Sequence, residues 1–138
     1  MPYLAFSQIT VSDKVENKNK YFSIVTENDV AAILYDTSEN PLVGKSAVFL
    51  ASDIEKVSGK KPNINNAADS LERSVIVVAT IGNNLLIDKL IADKKLDVES
   101  INGKWERFLI QTIEDPFPDV KQALIILGSG RRGAAYGV

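Results

Sequence analysis

The sequence predicts an α/β (α+β) fold: a layered sandwich of a mixed β-sheet with two main helices packed on it. Three observations carry this expectation. Ser74-Val75-Ile76-Val77-Val78-Ala79-Thr80-Ile81 and Ala123-Leu124-Ile125-Ile126-Leu127 are continuous apolar runs rich in β-branched residues, the mark of strands buried on both faces. Val43, Ala47, Val48, Leu50, Ala51, Ile54 and Val57 recur at three- and four-residue steps, which draws one apolar face on a helix. A second amphipathic stretch with Leu85, Leu86, Leu90 and Ile91 follows the first apolar run directly. Strands that alternate with helices of this kind build layered domains.

The elements follow in order. Residues 1–20 read as an N-terminal arm or short strand: Phe6–Val11 alternates, and Ser12–Lys20 is polar and mixed in charge. A single α/β domain is expected over 21–138. Tyr21–Val25 and Val30–Tyr35 read as strands separated by Glu27-Asn28-Asp29. Asp36–Pro41 is a turn that opens a helix near 42–58, with Pro41 suited to the first helical turn and Ser58-Gly59 to its end. Pro62–Ile64 is short and extended, and Asn65–Arg73 is a polar connection. After the first apolar run, a helix is expected near 83–94. Trp105–Ile113 alternates as a strand, Asp115–Asp119 reads as a turn, and Ala123–Leu127 as a further strand. The expected core comprises Ile33, Val48, Leu50, Ile54, Val75, Val77, Leu86, Leu90, Ile110, Leu124 and Ile126. Trp105, Tyr136 and Tyr35 lie in or beside apolar elements, so core packing is expected of each. Beyond Gly128-Ser129-Gly130, Arg131–Val138 reads as the opening of a third helix that the chain does not finish; without a C-cap so short a helix is marginal. The reading is of a domain truncated there, with an apolar patch around Tyr136–Val138.

Composition narrows the chemistry. The 138 residues are 45% hydrophobic and 25% charged, ordinary for a globular domain. There is no Cys and no His. That excludes disulfides, thiolate metal sites, thiol nucleophiles, the Ser-His-Asp triad and imidazole acid–base work. Sixteen Lys+Arg against 18 Asp+Glu leave a net charge of −2, without the basic excess that a nucleic-acid partner demands. No apolar run is long enough to span a membrane. Met1–Phe6 lacks the basic start and long apolar segment of a signal peptide. No membrane partner and no cofactor is expected.

Two Gly-containing loops follow buried strands, Thr80-Ile81-Gly82-Asn83-Asn84 and Leu127–Gly133, and such a strand–loop–helix junction presents backbone N–H groups to an anion. The second, which adds two guanidinium groups, is the main candidate site. Gly128-x-Gly130-x-x-Gly133 has the spacing of a dinucleotide fingerprint. It sits at the wrong end of the chain, with five residues after Gly133 and no carboxylate downstream. It reads instead as a tight strand-to-helix turn, with Arg131 and Arg132 pairing to carboxylates. Arg131, Arg132 and Tyr136 are candidate contacts to an anion or to a neighbouring domain. No pair of carboxylates makes a case for catalysis: Asp36 and Glu39 lie in a helix-opening turn, where the dipole favours acidic residues. Catalytic, cofactor and metal residues are therefore expected to be none.

Four ordered blocks resemble the N-terminal domain of glycoside hydrolase family 115, the xylan α-glucuronidases. Asp53-Ile54 through Val57, Gly59 and Pro62 is similar to the end of that family's first helix. Thr80-Ile81-Gly82 through Leu86-Ile87-Asp88-Lys89-Leu90-Ile91 is similar to a second block, with Ile81 and Asn83-Asn84 departing from it. Ile101-x-Gly103-Lys104-Trp105-Glu106 resembles an unusual string of the family. Gly128-Ser129-x-Arg131-Arg132-Gly133-x-x-Tyr136-Gly137 resembles the junction into its catalytic barrel, with Gly130 in place of an acidic residue. The resemblance implies a hexosaminidase-like N-terminal accessory domain without catalytic residues of its own. It implies as partner a catalytic (β/α)8 barrel of the parent chain. Through that parent it implies a xylan-type polysaccharide, from which (4-O-methyl-)glucuronic acid is removed. An exported parent, periplasmic or extracellular, is implied as well. The competing reading is a stand-alone carbohydrate- or anion-binding module that uses the Gly128–Gly133 loop. Weak self-association through the C-terminal patch is a further expectation.

Overall fold

The computed structural model describes residues 21–65 and 73–138. The arm expected over 1–20 and most of the connection expected over 65–73 lie outside them. The elements run β1 (Ala32–Leu34), α1 (Pro41–Ser58), β2 (Ile64–Asn65), β3 (Ser74–Thr80), α2 (Leu85–Ala92), β4 (Phe108–Phe117), β5 (Val120–Gly128) and α3 (Arg131–Gly137). All strands join one mixed sheet in the order β2-β1-β3-β5-β4. The first four neighbours are parallel, and β4 pairs antiparallel with β5.

Side-chain alternation along the central strands divides the core in two. Ile33, Ile76, Val78 and Ile126 face α1 and α3, where they meet Val43, Ala47, Ala51, Ile54 and Ala134. Val75, Val77, Ala79, Ala123, Ile125 and Leu127 face the other way, onto Ile87 and Leu90 of α2 and onto Leu96 and Ile101. The period of two that sends successive residues to opposite faces thus yields three layers, with helices on both sides of the sheet. β3 and β5 are continuously apolar because each face meets a helix.

α1 and α2 are capped by residues that the sequence supplies. Asn40 caps α1, accepting from Leu42 N at 3.1 Å, and Pro41 occupies the first helical position. Gly59 ends it with φ 73° and donates its N–H to Glu55 O. Asn84 caps α2 by accepting from Leu86 N at 3.0 Å and Ile87 N at 3.2 Å.

Several expectations need correction. Tyr21–Val25 forms no strand but a single bridge, Val25 to Val30. The turn between them closes too tightly for a ladder, with Thr26 N donating to Asp29 O at 2.8 Å. The turn placed over Asp115–Asp119 is mostly strand: β4 runs on to Phe117, absorbing Asp115 and Pro116 as an irregularity between Glu114 and Phe117. Asp115 takes φ 46° there, and Pro116 is tolerated because β4 is an edge strand of the sheet among the described residues. Val48 is 51% exposed rather than core. The buried stripe of α1 is Val43, Ala47, Ala51 and Ile54, and Val48 lies one residue, hence about 100° of helix, off that line. Leu50, Leu86, Ile110 and Leu124 are half-buried against the two clusters. Trp105 and Tyr136 are 79% and 61% exposed, not packed, and only Tyr35 is partly enclosed.

Candidate functional site

Two places bring chemistry-bearing residues together. The first is the junction after β5. Gly128, Gly133 and Gly137 are all buried, and each permits a close approach. A Cβ on Gly128 would strike the backbone of Ala134 and Gly130, and one on Gly133 would strike the carbonyl of Arg107. On Gly137 it would meet Ile126 Cγ2 at 2.7 Å and the Phe108 ring at 3.3 Å. The glycine spacing that imitates a dinucleotide fingerprint is therefore a packing device: it seats a seven-residue helix directly on β4 and β5. The segment ahead of β4 is stitched to the same turn by Ser129 N to Arg107 O at 2.8 Å and Arg107 N to Ser129 Oγ at 3.0 Å.

The candidate contact residues sit on the outside of this junction. Arg132 Nη1 pairs with Glu106 Oε1 at 2.8 Å, and this hydrogen bond, then the charge of Glu106, raises its pKa. Arg131 and Tyr136 are exposed. All three belong to one short helix, whose inner side is the glycine and alanine surface just described.

The second place joins the Gly-containing loop Thr80–Asn84, which the sequence offers as a candidate, to Glu39, which it does not single out. Glu39, expected only as an acidic residue near a helix start, is 7% exposed and reaches across to the end of β3. Its Oε1 accepts from Thr80 N at 2.7 Å and its Oε2 from Thr80 Oγ1 at 2.6 Å. Asn83 Nδ2 in turn donates to Thr80 Oγ1 at 2.8 Å. Burial pushes the Glu39 carboxyl above its ordinary range; the Thr80 hydrogen bonds pull the other way, and Asp36 adds to the rise. No cationic side chain pairs with it among the described residues.

The local sequence explains how Glu39 arrives there. Asp36 Oδ1 accepts from both Ser38 N and Ser38 Oγ at 2.8 Å, and Glu39 N donates to Asp36 O, so the chain folds back between β1 and α1. Beside Glu39 opens a hollow of about 450 Å³, walled by Tyr35, Asn40, Lys45, Val48 and Phe49. Gly44 lets the Tyr35 ring lie on the helix, since a Cβ there would stand 3.0 Å from it. The hollow lies at the carboxyl end of β1, from which the chain runs through α1 to β2 on one side, while β3 on the other side runs on through α2 toward β4 and β5. Ligands of open α/β sheets bind at such switch points, at the carboxyl ends of the strands. For Glu39 itself the one sequence signal is an acidic residue one position before a helix cap, which is too common to mark a site. Among the described residues, no cluster of three metal-ligating side chains occurs.

No family model matches the chain, and no curated protein matches it. Among solved structures, it is similar to a family GH115 4-O-methyl-α-glucuronidase with specificity for decorated arabinogalactans. The identity is 27% and the TM-score 0.59, over 78% of this chain. The chain is related to a glycoside hydrolase domain. It spans 12% of that enzyme's length.

Proposed function

We propose that the chain is a non-catalytic N-terminal accessory domain of a glycoside hydrolase related to family 115. Its partner is a catalytic (β/α)8 barrel of the same parent, and the parent is exported. The parent hydrolyses the bond that holds (4-O-methyl-)glucuronic acid on a plant polysaccharide. Glucuronoxylan is the substrate we propose; the similar structure, whose enzyme acts on decorated arabinogalactans, makes that polysaccharide the comparison to run beside it. The observation that carries the reading is the 27% identity maintained over 78% of the chain while matching only 12% of the enzyme.

Two features of the chain support a role in packing rather than catalysis. The buried carboxylate Glu39 already accepts two hydrogen bonds from Thr80, and among the described residues no other carboxylate lines the hollow beside it. The exposed side of α3, with Arg131, Arg132 and Tyr136, offers the mixture of aromatic and guanidinium groups that is common at protein interfaces. We assign those three residues to contact with the barrel.

Incubating the chain with glucuronoxylan and with arabinogalactan, and measuring released uronic acid, tests the first half of this reading. No release is expected, and turnover by the chain alone overturns it. The second half is tested by the chain's binding to a separately produced barrel of its parent. Binding that Tyr136→Asp abolishes is expected. Binding indifferent to Tyr136 and Arg131 overturns the assignment of this surface.

A further inference from the structure

We propose that the hollow between Tyr35 and Phe49 is a saccharide site, in which Glu39, Asn40 and Lys45 engage sugar hydroxyls and the Phe49 ring carries the C–H face of a pyranose. The inference goes beyond the accessory role and does not depend on it.

Position is the first argument. The hollow opens at the carboxyl end of β1, at the point where the sheet's connections diverge, and its volume of about 450 Å³ suits a small ligand. Chemistry is the second. Glu39 is an acceptor-only group, buried, anchored by Thr80 through one hydrogen bond to each oxygen and paired with no cation among the described residues. A carboxylate oxygen has room for a second donor. Lys45 is donor-only, exposed, and without an ion pair or hydrogen bond among the described residues. Asn40 spends its Oδ1 on Leu42 N, which leaves its amide N–H groups available. The third argument is the aromatic wall. Phe49 is 66% exposed and stands one helical turn beyond Lys45, so ring and ammonium flank the same opening.

The charges select the class of ligand. A cation entering beside Glu39 meets the Lys45 ammonium, and an anion drawn to Lys45 meets the Glu39 carboxylate. A neutral polyol uses both as hydrogen-bond partners, and its apolar ring face fits an exposed aromatic. Gly44 keeps the floor of the hollow open, because any larger residue there would displace the Tyr35 ring.

The test is an amide NMR titration of the 138-residue chain with methyl β-xylopyranoside, methyl β-galactopyranoside and methylguanidinium, each separately. At least one neutral glycoside is expected to produce saturable shifts at Thr37–Phe49 and Thr80–Asn83. Phe49→Ala, at an exposed position, should weaken that binding about tenfold at an unchanged melting temperature. Tyr136→Ala should leave it unaltered. No saturable shift with either glycoside overturns the proposal. So does a response to methylguanidinium alone, which marks a site for a cationic side chain, and so does equal affinity in Phe49→Ala. None of these outcomes bears on barrel binding or uronic acid release, so this inference and the accessory role fail separately.

Discussion

Glu39 shows how much a single side chain can hold. Its carboxylate satisfies a backbone N–H and a hydroxyl at the end of β3 and so ties the β1–α1 turn to the central strand. Removing it leaves the buried Thr80 N–H without a partner, so Glu39→Ala should lower unfolding free energy by about 1–3 kcal/mol in urea titrations. Glu39→Gln behaves differently. Its amide oxygen still accepts from Thr80 N, and its amide N–H can donate to Thr80 Oγ1, which also accepts from Asn83. Burial raises the folded-state pKa of Glu39 above its unfolded value, so the stability tied to the protonated form is full at low pH and lost as pH rises through the folded pKa. The gap between Glu39→Gln and wild type should therefore move in favour of Gln from pH about 4 to pH about 7. Urea midpoints that diverge in the opposite sense would contradict the assignment. Gly133 makes the complementary point. Alanine there would gain about 1 kcal/mol of helix propensity, but its Cβ would run into the Arg107 carbonyl, which is backbone and cannot swing away. Gly133→Ala should cost about 1–3 kcal/mol net, read as a fall in melting temperature.

At the scale of elements, the helices differ in what sustains them. α1 has five turns, a cap at each end and a buried stripe against the sheet. α2 has only eight residues, too few to be stable alone in water. It depends on Ile87 and Leu90 in the core and on Asn84, which is 4% exposed and accepts from two backbone N–H groups at once. Asn84→Ala should cost about 1–2 kcal/mol, with amide exchange rising first in α2 while β3 and β5 stay protected. Uniform loss of protection would show that α2 and the sheet open as one unit. α3 is shorter still. It is held by the close approach that Gly128, Gly133 and Gly137 permit rather than by length or capping, because Gly130 provides no side-chain cap.

Across the whole molecule, the surface is unevenly apolar. Among the described residues, Phe49 of α1, Trp105 ahead of β4, Phe108 of β4 and Tyr136 of α3 are large and exposed. Where such side chains adjoin, apolar surface marks contact with something else. In isolation the chain should self-associate weakly, so its apparent mass by light scattering should rise with concentration. Tyr136→Ser should flatten that rise. A strictly monomeric chain at every concentration would show that the exposed aromatics are too dispersed to make an interface.

What the sequence determined by itself was whatever local periodicity can express. The apolar runs of β3 and β5, the stripe along α1, Pro41 and Gly59 at its ends, and the short opening of α3 were all legible, because each depends on neighbours within a few residues. The boundary between a packed and an open face was not. Val48 satisfies the helical spacing as well as Ala47 does, and only the position of the sheet exposes one and buries the other. Trp105 reads as core because it is large and opens the alternating stretch Trp105–Ile113, yet β4 begins three residues later, at Phe108, and leaves it outside. The glycines of the last turn showed a spacing but not a purpose. That purpose lies in the Arg107 carbonyl, far away in sequence, which stands against Gly133 in the fold. Glu39 is the clearest case. Its neighbours in the chain mark a turn and a helix start, whereas its partner Thr80 lies 41 residues on. Burial and the hydrogen bonds that compensate it arise from the juxtaposition of strands, which tertiary packing alone decides.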